Sequence, residues 1–259
     1  FPKVTVTGTA NLIMASVLAK GNQILRNVSI EPEIIDLIKF LNNSGAEIKF
    51  LGKRTINIKG VKELNHGTHK IIGDRIEAFS YLCIGAISRG KITVKNIDPI
   101  FLNTELKYLK KLGCKIITYN DRISLNSPKI LKSLNLKTGP FPNFATDNMP
   151  MMLAVLSLAS GKSKIEETIF SNRFMAAPEL SRMGAKIKIK KNIATIIGQK
   201  FLTAADCISS DLRTTFAIIL GAISAKGSSQ IQRVYHGERG YDNLQKKLNS
   251  LGVKIISKG

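Results

Sequence analysis

Two kinds of helix alternate along the chain, and they differ in how their apolar residues are distributed. One kind is apolar on every side: "AFSYLCIGAIS", "MMLAVLSLAS" and "FAIILGAIS". The other kind keeps a lysine-rich face: "FLNTELKYLKKLG" and "YDNLQKKLNSLG". A helix that is apolar all round is buried, whereas an amphipathic helix covers a core with one face. The pattern therefore predicts interior helices alternating with half-exposed ones.

A short stretch of alternating apolar and polar residues follows each apolar helix: "KITVKNID", "KSKIEETIF" and "SSQIQRVY". This alternation is typical of half-buried strands. Glycines stand where the helices should end, a position that favours a left-handed C-cap. Helices and strands therefore follow one another in a regular order.

The order repeats along the chain. Similar phrases place one series of glycines at Gly45, Gly113, Gly184 and Gly252, and a second series at Gly21, Gly90, Gly161 and Gly227. Self-similarity at a spacing of about 70 residues indicates duplicated structural units. We predict an α/β protein with four copies of a βαβαββ unit. If three copies close around an axis, their apolar helices would lie parallel inside, with their N-termini at one end.

An acidic residue stands at the start of each apolar helix: Asp74, Asp147 and Asp211. Each could simply cap its helix, and Asp74 and Glu77 have the spacing of a capping box. Asp147 differs because the loop before it, "FPNFATDNMP", is rich in proline and phenylalanine, which no cap requires. Rigidly held loops often carry binding residues, so we favour a functional role for Asp147.

Arginines stand at equivalent junctions between strand and helix, namely Arg173, Arg213 and Arg239. The planar guanidinium matches carboxylate and phosphate better than lysine does. Together with three helix N-termini, they predict an anion site. The alternative is that they pair with nearby acids such as Glu179 or Glu238.

The opening stretch, "PKVTVTGTAN", brings hydroxyls, a glycine and Lys3 just before an apolar helix, "LIMASVLAKG". Backbone N–H groups at such a place could hold a diphosphate. The stretch lacks the spacing of a P-loop.

Composition narrows the class of protein. The chain has 259 residues, 44% of them hydrophobic, which suits one large globular domain or two ordinary ones. Its net charge of +21 could favour nucleic acid, but the lysines are scattered and aromatic residues make up only 6%. We therefore expect no nucleic-acid site. No apolar run is long enough to span a bilayer and no secretory signal is visible, so we expect no membrane partner and a cytoplasmic location.

Cysteine and histidine suggest no metal or redox centre. Cys83, Cys114 and Cys207 are far apart in apolar surroundings and are predicted to be buried thiols. His66 and His69 form an H-x-x-H without accompanying carboxylates or thiols. We expect neither a metal site nor a cofactor.

Several segments together resemble the UDP-N-acetylglucosamine 1-carboxyvinyltransferase family of enolpyruvyl transferases, from one end of the chain to the other. They are "PKVTVTGTANLIM", "EPEIIDLIKFLNNSGAEI", "DRIEAF", "FPNFATDNMP", "ETIFSNRFMAAPELSRMGA", "DLRTTFAIILGAI" and "YHGERGYDNLQKKLNSLGVKI". The resemblance implies transfer of the enolpyruvyl group of phosphoenolpyruvate to the 3-hydroxyl of UDP-N-acetylglucosamine, with release of phosphate. This is the first committed step of peptidoglycan precursor synthesis, and so serves cell-wall biogenesis, cell shape and cell division.

The family fold is a pair of inside-out α/β prisms with three repeats each, and the active site lies between them. By resemblance, residues 1–73 are the last repeat of a truncated first prism and residues 74–259 are the second prism. Four repeats of an expected six are thus present.

The resemblance also implies roles for individual residues. Asp147 would remove the proton of the sugar 3-hydroxyl, and Arg239 would also be catalytic. Arg173 and Arg213 would act with Arg239 on the phosphate and carboxylate of phosphoenolpyruvate. Ile169 would make a sugar-side backbone contact. The substrate, and above all its diphosphate, would be contacted by Lys3, Val4, Thr5, Val6 and Thr7. Possible acids lining the cleft are Glu31, Asp74 and Asp211.

The chain also departs from the family pattern. The family's catalytic cysteine, on a mobile loop, belongs upstream of Phe1, and none of the three cysteines present matches that context. Ala10 stands where glutamate is usual. We therefore expect the isolated chain to be inactive. The alternatives are 3-phosphoshikimate 1-carboxyvinyltransferase activity and a non-catalytic basic module that binds nucleic acid.

Overall fold

The computed structural model of the protein describes residues 1–256, which form two compact units. The first unit comprises Phe1–Gly73 together with Pro140–Pro142, and the second comprises Asp74–Gly139 and the described chain from Asn143 onward. That these units are the last repeat of one prism and the whole of another stays a prediction.

The first unit packs two helices on one antiparallel sheet. The helices are α1 (Val6–Ser16) and α2 (Pro32–Asn43), and the strands are β1 (Asn22–Arg26), β2 (Glu47–Gly52) and β3 (Thr55–Lys59). The strand order is β1-β3-β2. Ile56 and Ile58 of the central strand are fully buried against Ile13 of α1 and Ile34 of α2, which gives this unit a core of its own.

The second unit begins with a helix and a three-stranded sheet. Its elements are α3 (Arg75–Ile87), β4 (Lys91–Lys95), α4 (Asn103–Lys111), β5 (Lys115–Tyr119) and β6 (Arg122–Asn126). The strands pair antiparallel in the order β4-β6-β5. This repeats the helix and strand order of the first unit.

The middle of the second unit has the same order with one added strand. Its elements are β7 (Asn135–Lys137), α5 (Met149–Leu156), β8 (Lys162–Glu166), α6 (Ala176–Arg182), β9 (Lys186–Lys190) and β10 (Ile193–Ile197). The strand order is β7-β8-β10-β9, and only the β7–β8 pair is parallel.

The last part of the second unit is less regular. Its elements are β11 (Leu202–Thr203), β12 (Asp206–Ile208), α7 (Leu212–Ser224), β13 (Ala225–Lys226), β14 (Gln230–Gln232), α8 (Tyr235–Glu238) and α9 (Leu244–Ser250). Two short parallel pairs form, β11–β13 and β12–β14. The segment "SLGVKIIS" resembled the strand-bearing phrases of the other repeats, but residues 253–256 are not in a strand, and its final serine lies outside the described residues.

The two predicted classes of helix are confirmed. Every residue of α5 is buried, as is every residue of α3 except Glu77, and α3, α5 and α7 pack against one another. In contrast, α4 buries Glu105, Leu106 and Leu109 and leaves its lysines outside. The three strands predicted after the apolar helices are β4, β8 and β14. The number of repeats stays a prediction.

The predicted left-handed glycines are confirmed at seven of the eight positions, with φ of 101° at Gly113 for example, but the prediction is wrong at Gly90, where the preceding Arg89 takes the positive φ of 56° instead. The prediction of buried thiols is confirmed as well. Cys83, Cys114 and Cys207 are buried free thiols. In the part of the chain that the structure describes, no helix is both long and apolar enough to cross a membrane.

Candidate active site

Asp147 lies in a single 3-10 turn, Thr146–Asn148, directly before α5. Asn148 occupies the N-cap position of α5, and no side chain caps that helix. Asp147 therefore does not cap its helix, and this alternative interpretation is wrong. The side chain of Asp147 is 39% exposed.

Two arginines share the carboxylate of Asp147, one for each oxygen. Arg173 Nη2 donates to Oδ1 at 2.5 Å. Arg213 donates to Oδ2 from Nε at 3.2 Å and from Nη2 at 3.0 Å. Charge-assisted bonds of this kind fix direction as well as distance. Glu179 is not their partner, since its carboxylate lies 3.4 Å from Arg182 instead. The acid with which both arginines pair is Asp147.

Arg213 is the more deeply placed of the two arginines, with 13% of its side chain exposed. Its Nη1 donates to the hydroxyl of Tyr241 at 3.4 Å, and that hydroxyl lies 2.9 Å from Ser80 Oγ on α3. Burial disfavours the charge on Arg213, but Tyr241 and Asp147 outweigh it and raise the pKa of the guanidinium above its ordinary value. Arg213 thus stays cationic and is fixed from two sides.

The other two predicted acids, Asp74 and Asp211, are helix caps. Asp74 accepts from the backbone N–H groups of Ile76 at 2.7 Å and Glu77 at 3.1 Å. Glu77 does not complete a capping box: it bonds Lys247 Nζ at 2.8 Å. Both aspartates therefore stabilise the ends of α3 and α7 from which the site is built.

The carboxylate of Asp211 accepts from the N–H groups of Arg213 and Thr214 and from the Thr214 hydroxyl, at 2.9, 3.0 and 2.6 Å. Burial opposes its charge, but the bonds from Thr214, Ser210 and Arg213 outweigh burial and lower the pKa of Asp211. The cap of α7 is therefore an ionised carboxylate that lies two residues before Arg213 in the sequence.

Two buried glutamates, which the sequence did not single out, hold the turn that carries Asp147. Glu105 Oε1 accepts from Ala145 N at 3.1 Å and from Asn148 Nδ2 at 3.2 Å. Burial raises the pKa of Glu105, although the Ala145 N–H acts in the opposite direction. Glu167 Oε2 accepts from the Thr146 hydroxyl at 2.9 Å. Both residues lay inside segments that otherwise looked like ordinary helix and strand.

Ile169 and Arg239 do not bond to the group formed by Asp147, Arg173 and Arg213. The N–H of Ile169 donates to Glu167 Oε1 at 2.7 Å, so the backbone group of Ile169 left for a ligand is its carbonyl. Arg239 is exposed at the end of α8, and its guanidinium makes no hydrogen bond or ion pair with residues 1–256. The structure thus brings Arg173 and Arg213 to Asp147 but gives Arg239 no contact with it.

The first unit contains the predicted diphosphate contacts, but in a different local structure. Helix α1 begins at Val6, so Val6 and Thr7 are helical, whereas the sequence predicted a loop up to Asn11. Thr5 is the reason: its side chain caps the helix by accepting from Gly8 N at 3.3 Å. Lys3 is exposed and Val4 half-buried just before the helix, while Ala10 packs against the core of this unit.

Glu31, the remaining predicted acid, is 5% exposed within the first unit. It bonds the hydroxyl of Ser29, and its Oε1 accepts from the N–H of Phe141 at 3.2 Å. Arg54 Nη2 donates to the carbonyl of Phe141 at 2.6 Å. Glu31 is therefore engaged with the backbone of its own unit.

No group of three metal-binding side chains occurs among residues 1–256. His69 of the H-x-x-H pair instead lies 3.0 Å from Asp36 Oδ1.

Comparison with known proteins gives a family and a set of relatives. The family model "EPSP synthase (3-phosphoshikimate 1-carboxyvinyltransferase)" matches residues 1–248. A protein of Pelagibacter ubique named UDP-N-acetylglucosamine 1-carboxyvinyltransferase is 46% identical over 255 residues, which is 98% of this chain and 61% of that protein. A protein of the same name from Campylobacter jejuni is 44% identical over 257 residues, covering 98% and 62%. The chain thus spans about three fifths of the length of these relatives.

Solved structures share the fold. The enolpyruvyl transferase NikO from Streptomyces tendae is similar with a TM-score of 0.85 and 24% identity, over 94% of this chain and 58% of that one. EPSP synthase from Acinetobacter baumannii is similar with a TM-score of 0.73 and 16% identity, over 96% of this chain and 61% of that one. The predicted fold class, an α/β fold of enolpyruvyl transferases, is confirmed.

Proposed function

Because the chain belongs to the EPSP synthase family, we propose that it takes part in enolpyruvyl transfer from phosphoenolpyruvate to the 3-hydroxyl of UDP-N-acetylglucosamine. Its relatives of that name share 44–46% of their residues with it over nearly its whole length. The observation that carries the proposal is the cluster of one carboxylate and two guanidinium groups at Asp147, Arg173 and Arg213.

In the proposed reaction, the methylene carbon of phosphoenolpyruvate takes up a proton as the sugar oxygen bonds to the central carbon, which gives a tetrahedral adduct; by the family resemblance this proton comes from the cysteine loop that is not among the residues of this chain. Loss of a proton from the new methyl group then restores the double bond as the bond from the central carbon to the phosphate oxygen breaks. Asp147 takes the proton of the 3-hydroxyl as the new bond forms. Arg173 and Arg213 neutralise the phosphate and carboxylate of the donor and the charge of the tetrahedral adduct. The leaving group is inorganic phosphate.

The other predicted contacts belong to the proposal as well. Arg239 would join the two arginines at the donor as a catalytic group, and its exposed guanidinium is available to do so. Ile169 would contact the sugar through its carbonyl. Lys3 and the start of α1 through Thr7 would meet the diphosphate, where Lys3 supplies charge and the helix start supplies N–H groups. Glu31, Asp74 and Asp211 would be acids of the cleft, and Asp74 and Asp211 also cap α3 and α7.

The biological role follows from the proposed product. An enolpyruvyl ether of UDP-N-acetylglucosamine is a precursor for peptidoglycan, so the protein would act in the cytoplasm and contribute to cell-wall biogenesis, cell shape and cell division. We propose that the chain by itself binds substrate but turns over poorly, because the family's cysteine loop is not among its residues.

The test uses calorimetry to measure whether the full chain binds UDP-N-acetylglucosamine, shikimate 3-phosphate or a single-stranded oligonucleotide. An assay of phosphate release accompanies it. Binding of the UDP-sugar alone supports the proposal. Binding of shikimate 3-phosphate instead would assign the sister activity, and salt-sensitive binding of the oligonucleotide alone would make the chain a basic interaction module. Substantial turnover by this chain would refute the expectation of poor activity.

A further inference from the structure

Glu167 lies between the two segments that carry the opposite charges of the candidate site. It follows β8 directly and is 2% exposed. Its backbone is fixed by Asn192 in the turn between β9 and β10, through two bonds of 2.8 and 3.0 Å. The backbone from which this buried side chain extends is therefore held in place.

The two oxygens of Glu167 serve different segments. Oε2 accepts from the hydroxyl of Thr146, the residue before Asp147, at 2.9 Å. Oε1 accepts from the N–H groups of Ile169 and Phe170, at 2.7 and 3.1 Å, in the turn that leads to Arg173. One carboxylate thus ties together the turn of Asp147 and the turn of its partner Arg173.

Glu105 holds the same turn from the other side. It bonds the residues on both sides of the Thr146–Asp147 pair, Ala145 through its N–H and Asn148 through its side-chain amide. The turn of Asp147 is therefore hydrogen-bonded to two buried carboxylates, that of Glu105 on α4 and that of Glu167 after β8. A buried, multiply bonded group of this kind specifies one geometry, because an alternative would leave polar atoms without partners.

We propose that Glu167 is a positioning residue for the reaction, acting through Thr146 on Asp147 and through the Ile169–Phe170 turn on Arg173. The inference rests on the proposed function, in which Asp147 takes a proton and Arg173 binds the donor. Misplacement of a reacting group by about 1 Å can cost on the order of a hundredfold in rate. Loss of the Thr146 bond should therefore lower the rate without weakening the binding of either substrate.

The test compares Thr146→Val, which removes the hydroxyl at nearly constant volume, with Thr146→Ser, which keeps it. The control is Glu166→Gln, the adjacent carboxylate, which is 38% exposed and pairs with Lys137 on the surface. On the slow residual turnover expected of this chain, kcat should fall tenfold or more in Thr146→Val with KM changed less than threefold, and should recover in Thr146→Ser. Wild-type values for Thr146→Val would overturn the proposal.

A second readout does not depend on turnover. Nitrogen NMR of the arginine side chains reports the pairing of Arg173 with Asp147, because a held guanidinium rotates slowly. We expect the Arg173 signals to change in Thr146→Val and to match the wild type in Thr146→Ser and Glu166→Gln. Unchanged signals would refute the positioning role, and this readout decides the question even where the chain by itself turns over too slowly to assay. Failure to bind the UDP-sugar would count against the proposed function alone. If Thr146→Val does not fold, Thr146→Ala removes the same bond and decides the question.

Discussion

In the proposed function, Asp147 and an incoming phosphate compete for the same two arginines, Arg173 and Arg213. Arg173 and Arg213 both donate to the Asp147 carboxylate, so an oxyanion that binds these guanidinium groups must displace it or share them with a like charge. The substitution Asp147→Asn removes the negative charge and keeps the size of the side chain. We therefore expect it to strengthen the binding of inorganic phosphate.

The size of the effect follows from the exposure of the pair. Hydrogen bonds to charged groups contribute about 1.5–3 kcal/mol when buried, whereas exposed ion pairs contribute about 0.2–1 kcal/mol. Because 39% of the Asp147 side chain is exposed, we assign about 1 kcal/mol to each arginine and about 2 kcal/mol to both. Since 1.4 kcal/mol corresponds to a factor of ten, the Kd for phosphate should fall about 10- to 30-fold.

The assay is a calorimetric titration with phosphate at low and constant ionic strength, which limits screening. Glu166→Gln is the matched control, because it removes one carboxylate of nearly equal exposure and changes the net charge by the same amount. If Asp147→Asn binds phosphate with the same affinity as Glu166→Gln, the two arginines are not the phosphate site and the reasoning fails.

Three further predictions concern stability and reactivity. Burial raises the folded-state pKa of Glu105, so ionisation of its carboxyl costs stability as pH rises from about 4.3 through that raised value. Over this range the free energy of unfolding of Glu105→Gln should therefore increase relative to that of the wild type. A difference between the two proteins that stays constant from acid to neutral pH would contradict this. Asp211 has a lowered folded-state pKa, because its hydrogen bonds outweigh burial. Its contribution to stability is therefore present above about pH 4 and is lost as pH falls through the lowered value. In urea denaturation, Asp211→Ala should be less stable than the wild type by about 1 kcal/mol at neutral pH, and this difference should become smaller in acid. Burial raises the pKa of Cys114 and Cys207 to about 11 and that of Cys83 well above its usual value, so a thiol reagent should label none of them quickly before unfolding, and one fast-reacting thiol in the native protein would refute the assignment.

Local features of the site could be predicted from the sequence. Asp74 and Asp211 were recognisable as caps because the bonds of a cap join residues two or three positions apart. The burial of α3, α5 and α7 followed from their composition alone. These are short-range properties, and a single stretch of sequence contains all the information they require.

Long-range pairings could not be predicted in the same way. Arg213 and Asp147 are 66 residues apart, and only the packing of α7 against α5 brings them together. Glu166 and Glu167 are neighbours of identical type, yet one pairs with a surface lysine and the other is buried among hydroxyl and N–H groups. Strand alternation gave no reason to separate them, because Glu167 lies just past the end of β8.

The inclusion of Pro140–Pro142 in the first unit bears on how the chain can be divided. Glu31 and Arg54 hold the N–H and the carbonyl of Phe141, which is encoded more than eighty residues after them. A gene segment ending at Gly73 would leave both charged side chains without that peptide group. The stretch that looks like a self-contained duplicated module in the sequence thus has two of its hydrogen bonds with a distant tripeptide, and we expect its excision or exchange between relatives to be better tolerated when that tripeptide goes with it.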